Sequence, residues 1–490
     1  MGLLVDISPL RTSRPYRRLY IGTSLAHVGS MFTTTALALQ VFDLTGSSLA
    51  VGTVGIAGFI PLLVTGLWGG AIVDAFDRKT VAIWGAIGMW VAALLTMLQA
   101  LLGNTEVWVL YALVALNTAA FGVESPARQA IYPRILPARD LPAANALTSL
   151  AMSTSMLVGP VLAGFMVAAT GYTWTYAVNA FMTVFVLWGL AGLPAIPPLP
   201  PEETGLATGG RPSGVGGPAV APSSVARRRR VPGLRSVAEG FRYLATRPNI
   251  RMTFFTDFCA MILANPLALL PAVAVVALRS GPEAVGILTA GTAAGALLAA
   301  MFSGRLTGVI HQGRYVVGAV AGWGVAVAAF GGVVALAEGR MLGSELALWL
   351  GFGALGFAGA FDTVSMVFRN TIMQASADDS MRGRLQGIFI VVVAGGPRLG
   401  QFLMGALAAM TTEWMAAVIG GFACVAAVLV LARAQPGFLA YDSRTPNAVA
   451  PPRRPPSPPN SHTSTGRPPP PPRDVLGIPH TCAVISRGHL

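Results

Sequence analysis

Long apolar segments recur along most of the chain, and their length limits the folds that it can adopt. A helix that crosses the apolar core of a bilayer needs about 20 mostly apolar residues. Charged residues form only 11% of the sequence, whereas a soluble globular protein carries about 25%. This length predicts twelve membrane-spanning segments, at about 19–42, 47–73, 80–102, 106–127, 141–169, 172–194, 251–278, 284–306, 315–337, 344–372, 386–410 and 413–433. The chain is therefore expected to be an all-α integral membrane protein.

The arginine residues predict which ends of these segments lie in the cytoplasm. Cytoplasmic loops of membrane proteins carry an excess of lysine and arginine. The N-terminus, Arg78, Arg134 and the arginine run 227–230 fall on one side of the membrane, while Glu106 and Glu338 mark the other side. Both termini are therefore expected in the cytoplasm. The same distribution accounts for the formal net charge of +13, so no nucleic-acid partner is expected.

Polar segments divide the chain into five predicted regions. A cytoplasmic N-terminus, 1–18, precedes two domains of six helices each, 19–194 and 251–433. The segment 195–250 between them begins rich in proline and glycine and then turns basic, which predicts a flexible cytoplasmic linker. Its basic run is either a topology signal or a site for anionic lipid. The proline-rich segment 434–490 is expected to be a disordered cytoplasmic tail.

The two predicted six-helix halves repeat the same features in the same order. A loop sequence begins at Arg128 in the first half and at Arg369 in the second, 241 positions later. The next helix then carries a Gly-Pro pair, which ends at Pro160 in the first half and at Pro397 in the second, 237 positions later. Carriers with parallel repeats bind their substrate near the bilayer midplane, at the interface of the repeats. The repeat therefore predicts two pseudo-symmetric bundles around a central site.

A short charged loop between the second and third segments carries the most specific motif. It contains Gly70, Asp74, Arg78 and Lys79 in the spacing G-x-x-x-D-x-x-x-R-K. Such a loop is interpreted as a latch, because charged contacts at helix ends form only where the conformation brings the partners together. The alternative, a loop that only sets topology, explains the two cations but not the acidic residue. This spacing resembles the loop signature of the major facilitator superfamily.

Two further stretches extend the resemblance. The fifth segment contains Gly159, Pro160 and Gly164, which resemble the antiporter signature of drug:proton exporters; the proline kinks the helix and the glycines permit close packing. The stretches SPARQAIYPRILPARDLPAANAL and DDSMRGRLQGIFIVVVAGGPRLG resemble the branch of enterobactin exporters, over residues 15–435. The resemblance implies a major facilitator fold and proton-coupled export of a siderophore or similar amphipathic molecule by alternating access. A monomer is expected.

Two aspartates inside predicted membrane segments are candidates for proton coupling. A charge at bilayer depth is costly and marks a functional candidate. Asp362 and Asp257 lie within the tenth and seventh segments, and burial favours the protonated form of a carboxylate, as a proton carrier requires. The alternative for Asp362 is a structural ion pair with Arg369 or Arg398.

Three further charged residues have two possible roles each. Glu124, a third proton-coupling candidate, lies one helical turn before Arg128, which predicts a local ion pair or, alternatively, a cytoplasmic gate. Arg369 occupies the equivalent position of Arg128 in the second half and is the matching gate candidate. Arg398, midway along the eleventh segment, must pair with a carboxylate or face a wet cavity. In the cavity it is a candidate for binding an anionic substrate such as a catecholate.

The sequence contains no signal of enzymatic chemistry. A Walker-type phosphate loop requires a lysine after a glycine-rich turn, and the only lysine, Lys79, follows no such turn. Cys259, Cys424 and Cys482 lack metal-ligand spacing and are expected to be reduced structural thiols. No cofactor or metal is expected; the expected partners are a small-molecule substrate, protons and membrane lipid. The bias toward arginine is typical of a GC-rich bacterial genome, which predicts a multi-pass protein of the bacterial plasma (inner) membrane.

Three other functions remain compatible with the sequence. A broad-specificity multidrug pump, for example for macrolides, would use the same fold. An uptake carrier is also compatible, because the direction of transport depends on gradients and coupling. The third is a non-transporting sensor that signals through its linker or tail, although a sensor has no need of the internal repeat.

Overall fold

The fold is that of a computed structural model, which describes residues 6–194, 242–302, 304, 309–376, 382–442 and 444. For 67–75 and 382–392 only the backbone is described. Most of the predicted linker 195–250 and tail 434–490 lies outside the described residues. Within the described residues, all the assigned secondary structure is helical.

The first half consists of long helices that begin close to the predicted positions. The helices α1 to α4 span Arg14–Thr45, Ser48–Ala75, Arg78–Leu101 and Val107–Ile135. A continuous helical stretch, Leu141–Ala191, follows and contains one non-helical residue, Gly171, with φ 77° and ψ −177°. Glycine adopts a positive φ without steric cost, and the chain reverses direction at this residue. We number its two parts α5 (141–170) and α6 (172–191).

The second half contains one interrupted helix. The helices α7 to α12 span Pro248–Leu263, Pro282–Met301, Gln312–Glu338, Ser344–Ser376, Arg382–Met410 and Glu413–Ala434. The sequence predicts one continuous segment at 251–278, but α7 ends at Leu263 and is followed by a 3₁₀ turn, Pro266–Ala268, and a π-helical turn, Val273–Ala277. The reason is Pro266, which lacks the N–H that a continuing α-helix would need and crowds the residue before it.

The helices are long and apolar enough to span a membrane. Among the described residues, ten helical segments meet this criterion, one of them being the 54-residue segment Ala138–Ala191. Large apolar side chains such as Trp84, Phe181 and Phe357 are exposed on the outside of the molecule, where lipid would cover them. The prediction of a multi-pass α-helical membrane protein is confirmed.

Within each half, the helices pack in corresponding pairs. In the first half, α2 and α3 pack against α4, and α1 and α3 pack against the α5–α6 segment. In the second half, α8 and α9 pack against α10, α7 packs against α11, and α9 packs against α12.

The two halves contact each other through α2 with α11 and through α5 with α8, at one end of the molecule. Ser48, at the start of α2, donates from its hydroxyl to Glu413 Oε1 at 3.0 Å. Further along the same face of α2, no described atom lies within 4 Å of where a Cβ on Gly66 would stand. On α5, Ser153 is likewise exposed on the face that meets α8 further along. Among the described residues, the contacts between the halves therefore lie toward the end of the molecule that carries Ser48 and Glu413.

Candidate functional site

The first charged cluster lies on one face of α4. Arg128 Nε donates to Glu124 Oε1 at 2.7 Å, and Arg128 Nη1 donates to the Tyr132 hydroxyl at 3.2 Å. The three residues are spaced by one helical turn each, so a single helix positions them. Glu124 and Arg128 are both buried. One cation and one carboxylate neutralise each other here, which leaves the cluster without excess charge.

The second charged cluster joins α7 to α10. Arg369 Nη1 donates to Asp257 Oδ1, and Arg369 Nη2 donates to Asp362 Oδ1 at 3.3 Å. Arg369 and Asp257 are buried, whereas 29% of the Asp362 side chain is exposed. Of the two partners considered for Asp362 from the sequence, Arg369 is therefore the one that the structure places beside it. Two carboxylates share one guanidinium, so the cluster carries one excess negative charge when both are ionised.

A third cation lies at the contact between the halves. Arg398, on α11, places Nη1 at 3.4 Å from the hydroxyl of Thr118 on α4. The same guanidinium fits against Gly58 of α2, where an added Cβ would overlap Nη1. Within the described part of the chain, Arg398 has no carboxylate at ion-pair distance. No described carboxylate therefore neutralises its charge.

The cations of the charged loop bond to backbone carbonyls of the first half. Arg78 Nη1 donates to the carbonyl of Ala130 at 3.4 Å. Lys79 Nζ donates to the carbonyl of Ala191 at 3.3 Å and to that of Leu193, so it neutralises the negative end of α6. Their position in a loop suggests that both side chains are free in the cytosol. In the structure both are half-buried.

The acidic part of this loop is only partly described. Asp77 caps the start of α3, where its Oδ1 accepts from the Thr80 N–H at 2.9 Å. The sequence places Asp74, not Asp77, in the latch motif, but the side chains of Asp74 and of the residues around Gly70 lie outside the described part of the chain.

The antiporter-like segment of α5 makes close contacts with two other helices. Gly159 lies against the side chain of Met31 on α1. A Cβ on Gly164 would come within 2.7 Å of the Pro282 carbonyl oxygen at the start of α8. Pro160 lies inside the helix between them. This segment thus forms part of the contact between the halves.

A family comparison identifies the chain. The family described as transmembrane secretion effector, which is a major facilitator family, matches residues 5–200 and 219–453. The chain belongs to this family. Its members are membrane transporters of small molecules and not enzymes.

Individual relatives agree with this assignment. The enterobactin exporter EntS of Citrobacter koseri is 25% identical over 433 residues, which cover 87% of this chain and 93% of that protein. The enterobactin exporter EntS of Shigella boydii serotype 18 is 26% identical over 86% of this chain and 91% of that protein. The predicted resemblance to the enterobactin exporter branch of the superfamily is confirmed, and the chain is a multi-pass protein of the inner membrane.

Solved structures of transporters share the fold. The nucleoside transporter NupG aligns with a TM-score of 0.61 at 15% identity and covers 87% of this chain and 100% of that chain. A POT family transporter in complex with 5-aminolevulinic acid aligns with a TM-score of 0.65 at 11% identity over 87% of this chain and 97% of that chain. At such identities the likeness shows the fold alone.

Sequence reasoning missed two polar residues of this transporter's site. Tyr132 lies one turn after Arg128, so the same spacing that predicts the Glu124 pair could have identified it. Thr118 belongs to the other half of the chain from Arg398, and no local pattern connects them. Among the described residues, no group of three or more His, Cys, Asp or Glu side chains could hold a metal ion.

Proposed function

We propose that this transporter exports a siderophore or a similar amphipathic small molecule in exchange for protons, by alternating access between two six-helix bundles. The curated relatives named above are enterobactin exporters, which supports the substrate class. Secondary active transport fits a chain in which each half carries its own charged cluster and the contact between the halves carries Arg398.

Twelve spans are proposed from the helices described above. Gly171 divides the longest of the ten apolar segments into α5 and α6, and α11, Arg382–Met410, supplies the remaining span. The repeated packing of α4 and α10 with their neighbours supports two pseudo-symmetric bundles, 19–194 and 251–433. An even number of spans places both termini on one side, and the positive-inside rule favours the cytoplasm.

Arg398 is the observation that carries the proposed substrate class. A guanidinium without a carboxylate partner at membrane depth is costly unless water or an anion neutralises it. Guanidinium groups bind carboxylate-like and catecholate oxygens through charge-assisted hydrogen bonds. Because Arg398 contacts both halves, an anion bound there would be released or retained as the halves move.

Proton coupling is assigned to the cluster of Asp257, Asp362 and Arg369. One proton would neutralise its single excess charge, and the partly exposed Asp362 is the carboxylate that a proton can reach. Protonation of Asp362 would weaken its bond from Arg369 within α10 and leave Arg369 to Asp257 of α7 alone, which would change how α10 is held against α7. Glu124 and Arg128 are already neutral as a pair, so their proposed role is a gate at the cytoplasmic end rather than proton transfer.

The loop from Gly70 to Lys79 is proposed as a latch on the cytoplasmic side. In the present state its cations hold the ends of α4 and α6 within the first half. When the cavity opens to the outside, the same loop would contact the second half through Asp74 and keep the cytoplasmic side closed.

Export of enterobactin from living cells tests the proposal. The chain is expressed in iron-starved bacteria that lack their own exporter, and enterobactin in medium and cells is measured by mass spectrometry. We expect secretion to be restored and to stop when a protonophore is added. Unchanged secretion, with the protein confirmed in the membrane, would contradict the substrate class. Secretion that resists the protonophore would contradict proton coupling alone, and competition by macrolides would favour a multidrug pump.

A further inference from the structure

The interruption of α7 separates its inner part, which ends at Leu263, from its outer part, which begins at Pro266. Leu263 is the last residue of the α-helix, Ala264 has φ −138° and ψ 44°, and Asn265 is extended with φ −96° and ψ 105°. Pro266 then starts the 3₁₀ turn. Backbone groups released by such a break inside a membrane protein need other hydrogen-bond partners.

Side chains at the break supply these partners. Trp323 of α9 donates from Nε1 to the carbonyl of Ala264 at 3.0 Å. Asn265 uses both ends of its amide: Oδ1 accepts from the Leu267 N–H at 3.2 Å, and Nδ2 donates to the carbonyl of Pro397 on α11 at 3.1 Å. Asn265 is 8% exposed, so water does not compete for either bond.

Close packing brings α7 within reach of α11. A Cβ on Gly400 would come within 3.0 Å of Asn265 Cβ and would overlap the carbonyl oxygen of Met261. Only a glycine at this position lets the break approach α11 closely enough for the amide to reach Pro397. The interruption of α7 is thus built into the helix contact and is not an isolated irregularity.

The corresponding helix of the first half has no such break. A Cβ added at Gly396 of α11 would lie 3.4 Å from the side chain of Met261 on α7. In the first half, Gly159 of α5 lies in the same way against Met31 of α1. Yet α1 continues without interruption to Thr45. The bond from Asn265 is therefore particular to the second half.

The acceptor of this bond lies beside the cation of the substrate site. Pro397 directly precedes Arg398, and proline removes one backbone hydrogen bond from its helix, so this turn of α11 is held less firmly by its own backbone. We propose that Asn265 is a positioning residue for Arg398: its amide holds the turn of α11 that carries Arg398 against the break of α7. The guanidinium and the outer part of α7 then move together. This inference rests on the proposed role of Arg398 in binding substrate.

Binding measurements on the purified full-length protein in lipid nanodiscs test the role, with enterobactin as the probe. The variant Asn265→Ser keeps a side-chain oxygen that caps the Leu267 N–H but is too short to reach Pro397. The control Trp323→Phe removes the hydrogen bond from Trp323 to the Ala264 carbonyl and leaves the contact with α11 in place. We expect Asn265→Ser to weaken binding about fivefold, the factor of one ordinary hydrogen bond, and Trp323→Phe to change binding less than twofold.

A double variant distinguishes positioning from a general structural effect. If Asn265 acts through Arg398, Asn265→Ser should weaken binding no further once Arg398→Gln is present. Equal losses in the wild-type and Arg398→Gln backgrounds would overturn the proposal, as would equal losses in Asn265→Ser and Trp323→Phe.

A distance measurement keeps the test valid if enterobactin is not the substrate. Spin labels are placed at the exposed positions Val276, beyond the break, and Phe402, on α11, in a background without native cysteines. We expect a broader distance distribution in Asn265→Ser than in the parent. An unchanged distribution would overturn the link between α7 and α11, whereas absent enterobactin binding by the parent would overturn only the substrate class.

Discussion

Arg369 and Arg128 occupy equivalent places in the two halves, but their surroundings differ in charge. Arg128 has one carboxylate partner, Glu124, while Arg369 has two, Asp257 and Asp362. In a medium of low dielectric constant a neutral pair is stable only while both members are present. An excess carboxylate is instead relieved by a proton. Loss of a carboxylate should therefore destabilise the Arg128 cluster much more than the Arg369 cluster.

Removal of one carboxylate from each cluster tests this difference. Glu124→Gln leaves Arg128 buried without a counter-charge and should cost about 3 kcal/mol of stability or more. Asp362→Asn leaves Asp257 to neutralise Arg369 and should change stability by less than about 1 kcal/mol, while proton-driven export is lost. Thermal unfolding in detergent and export from cells measure the two effects. Equal destabilisation by both variants would contradict the difference in charge.

The unneutralised charge of Arg398 leads to a second prediction at the residue scale. Arg398→Gln should weaken enterobactin binding about tenfold or more, the factor expected from one charge-assisted hydrogen bond. The matched control is Arg139→Gln, because the side chain of Arg139 is 84% exposed and, among the described residues, its ion pair is with Asp140 at 3.6 Å. Equilibrium binding to the purified protein checks the outcome. If both variants bind alike, Arg398 does not contact the substrate.

At the scale of helices, close approach at glycine decides how the halves meet. The α5–α8 contact depends on Gly164, where a side chain would meet backbone atoms of Pro282 and Glu283 at 2.7 Å and 3.0 Å. Backbone atoms cannot move aside as a flexible side chain can. Helix α10 also contains a glycine, Gly353, with no atom within 4 Å of an added Cβ.

This pair of glycines gives a prediction for helix packing. Gly164→Ala should prevent the halves from closing at the end that carries Pro282 and should reduce export strongly. Gly353→Ala should leave export unchanged, because the methyl group meets open space and alanine favours the helix by about 1 kcal/mol over glycine. Export assays with matched membrane levels of both variants make the comparison. Full export by Gly164→Ala would show that this contact is not needed.

On the scale of the whole molecule, the described contacts between the two halves lie toward one end. Ser48 and Glu413 bond across this end, while a Cβ added at Gly66, on the same helix as Ser48, meets no described atom within 4 Å. In the proposed mechanism, this arrangement corresponds to the state that is closed at the end carrying Ser48.

Cysteine labelling tests which end is open. In a background without native cysteines, Gly66→Cys should react with a membrane-impermeant maleimide from the cytoplasmic side only. Ser47→Cys, at the closed end, should react from the outside only. Inverted and right-side-out vesicles provide the two exposures. Reaction of both positions from the same side would contradict the proposed orientation.

The sequence alone predicted a helical membrane protein and its family. Both follow from features that are local along the chain: apolar segments of spanning length, and motif residues at fixed spacings such as Gly70 to Lys79. The ion pair of Glu124 and Arg128 was one of the two roles that the sequence predicted for these residues, because residues four apart share a face of one helix. The interruption of α7 was missed, although Pro266 was a visible signal for it.

Only the tertiary structure decided which distant charges meet. Arg369 bonds to Asp257 across 112 residues, and Arg398 reaches Thr118 across 280 residues. From the sequence, Arg369 and Arg398 were equal candidates to pair with Asp362. Their partners depend on how separate helices cross in space, and helix crossing depends on side-chain packing rather than on spacing along the chain. For this reason the sequence predicted the candidate residues of the site, and the fold determined their partners.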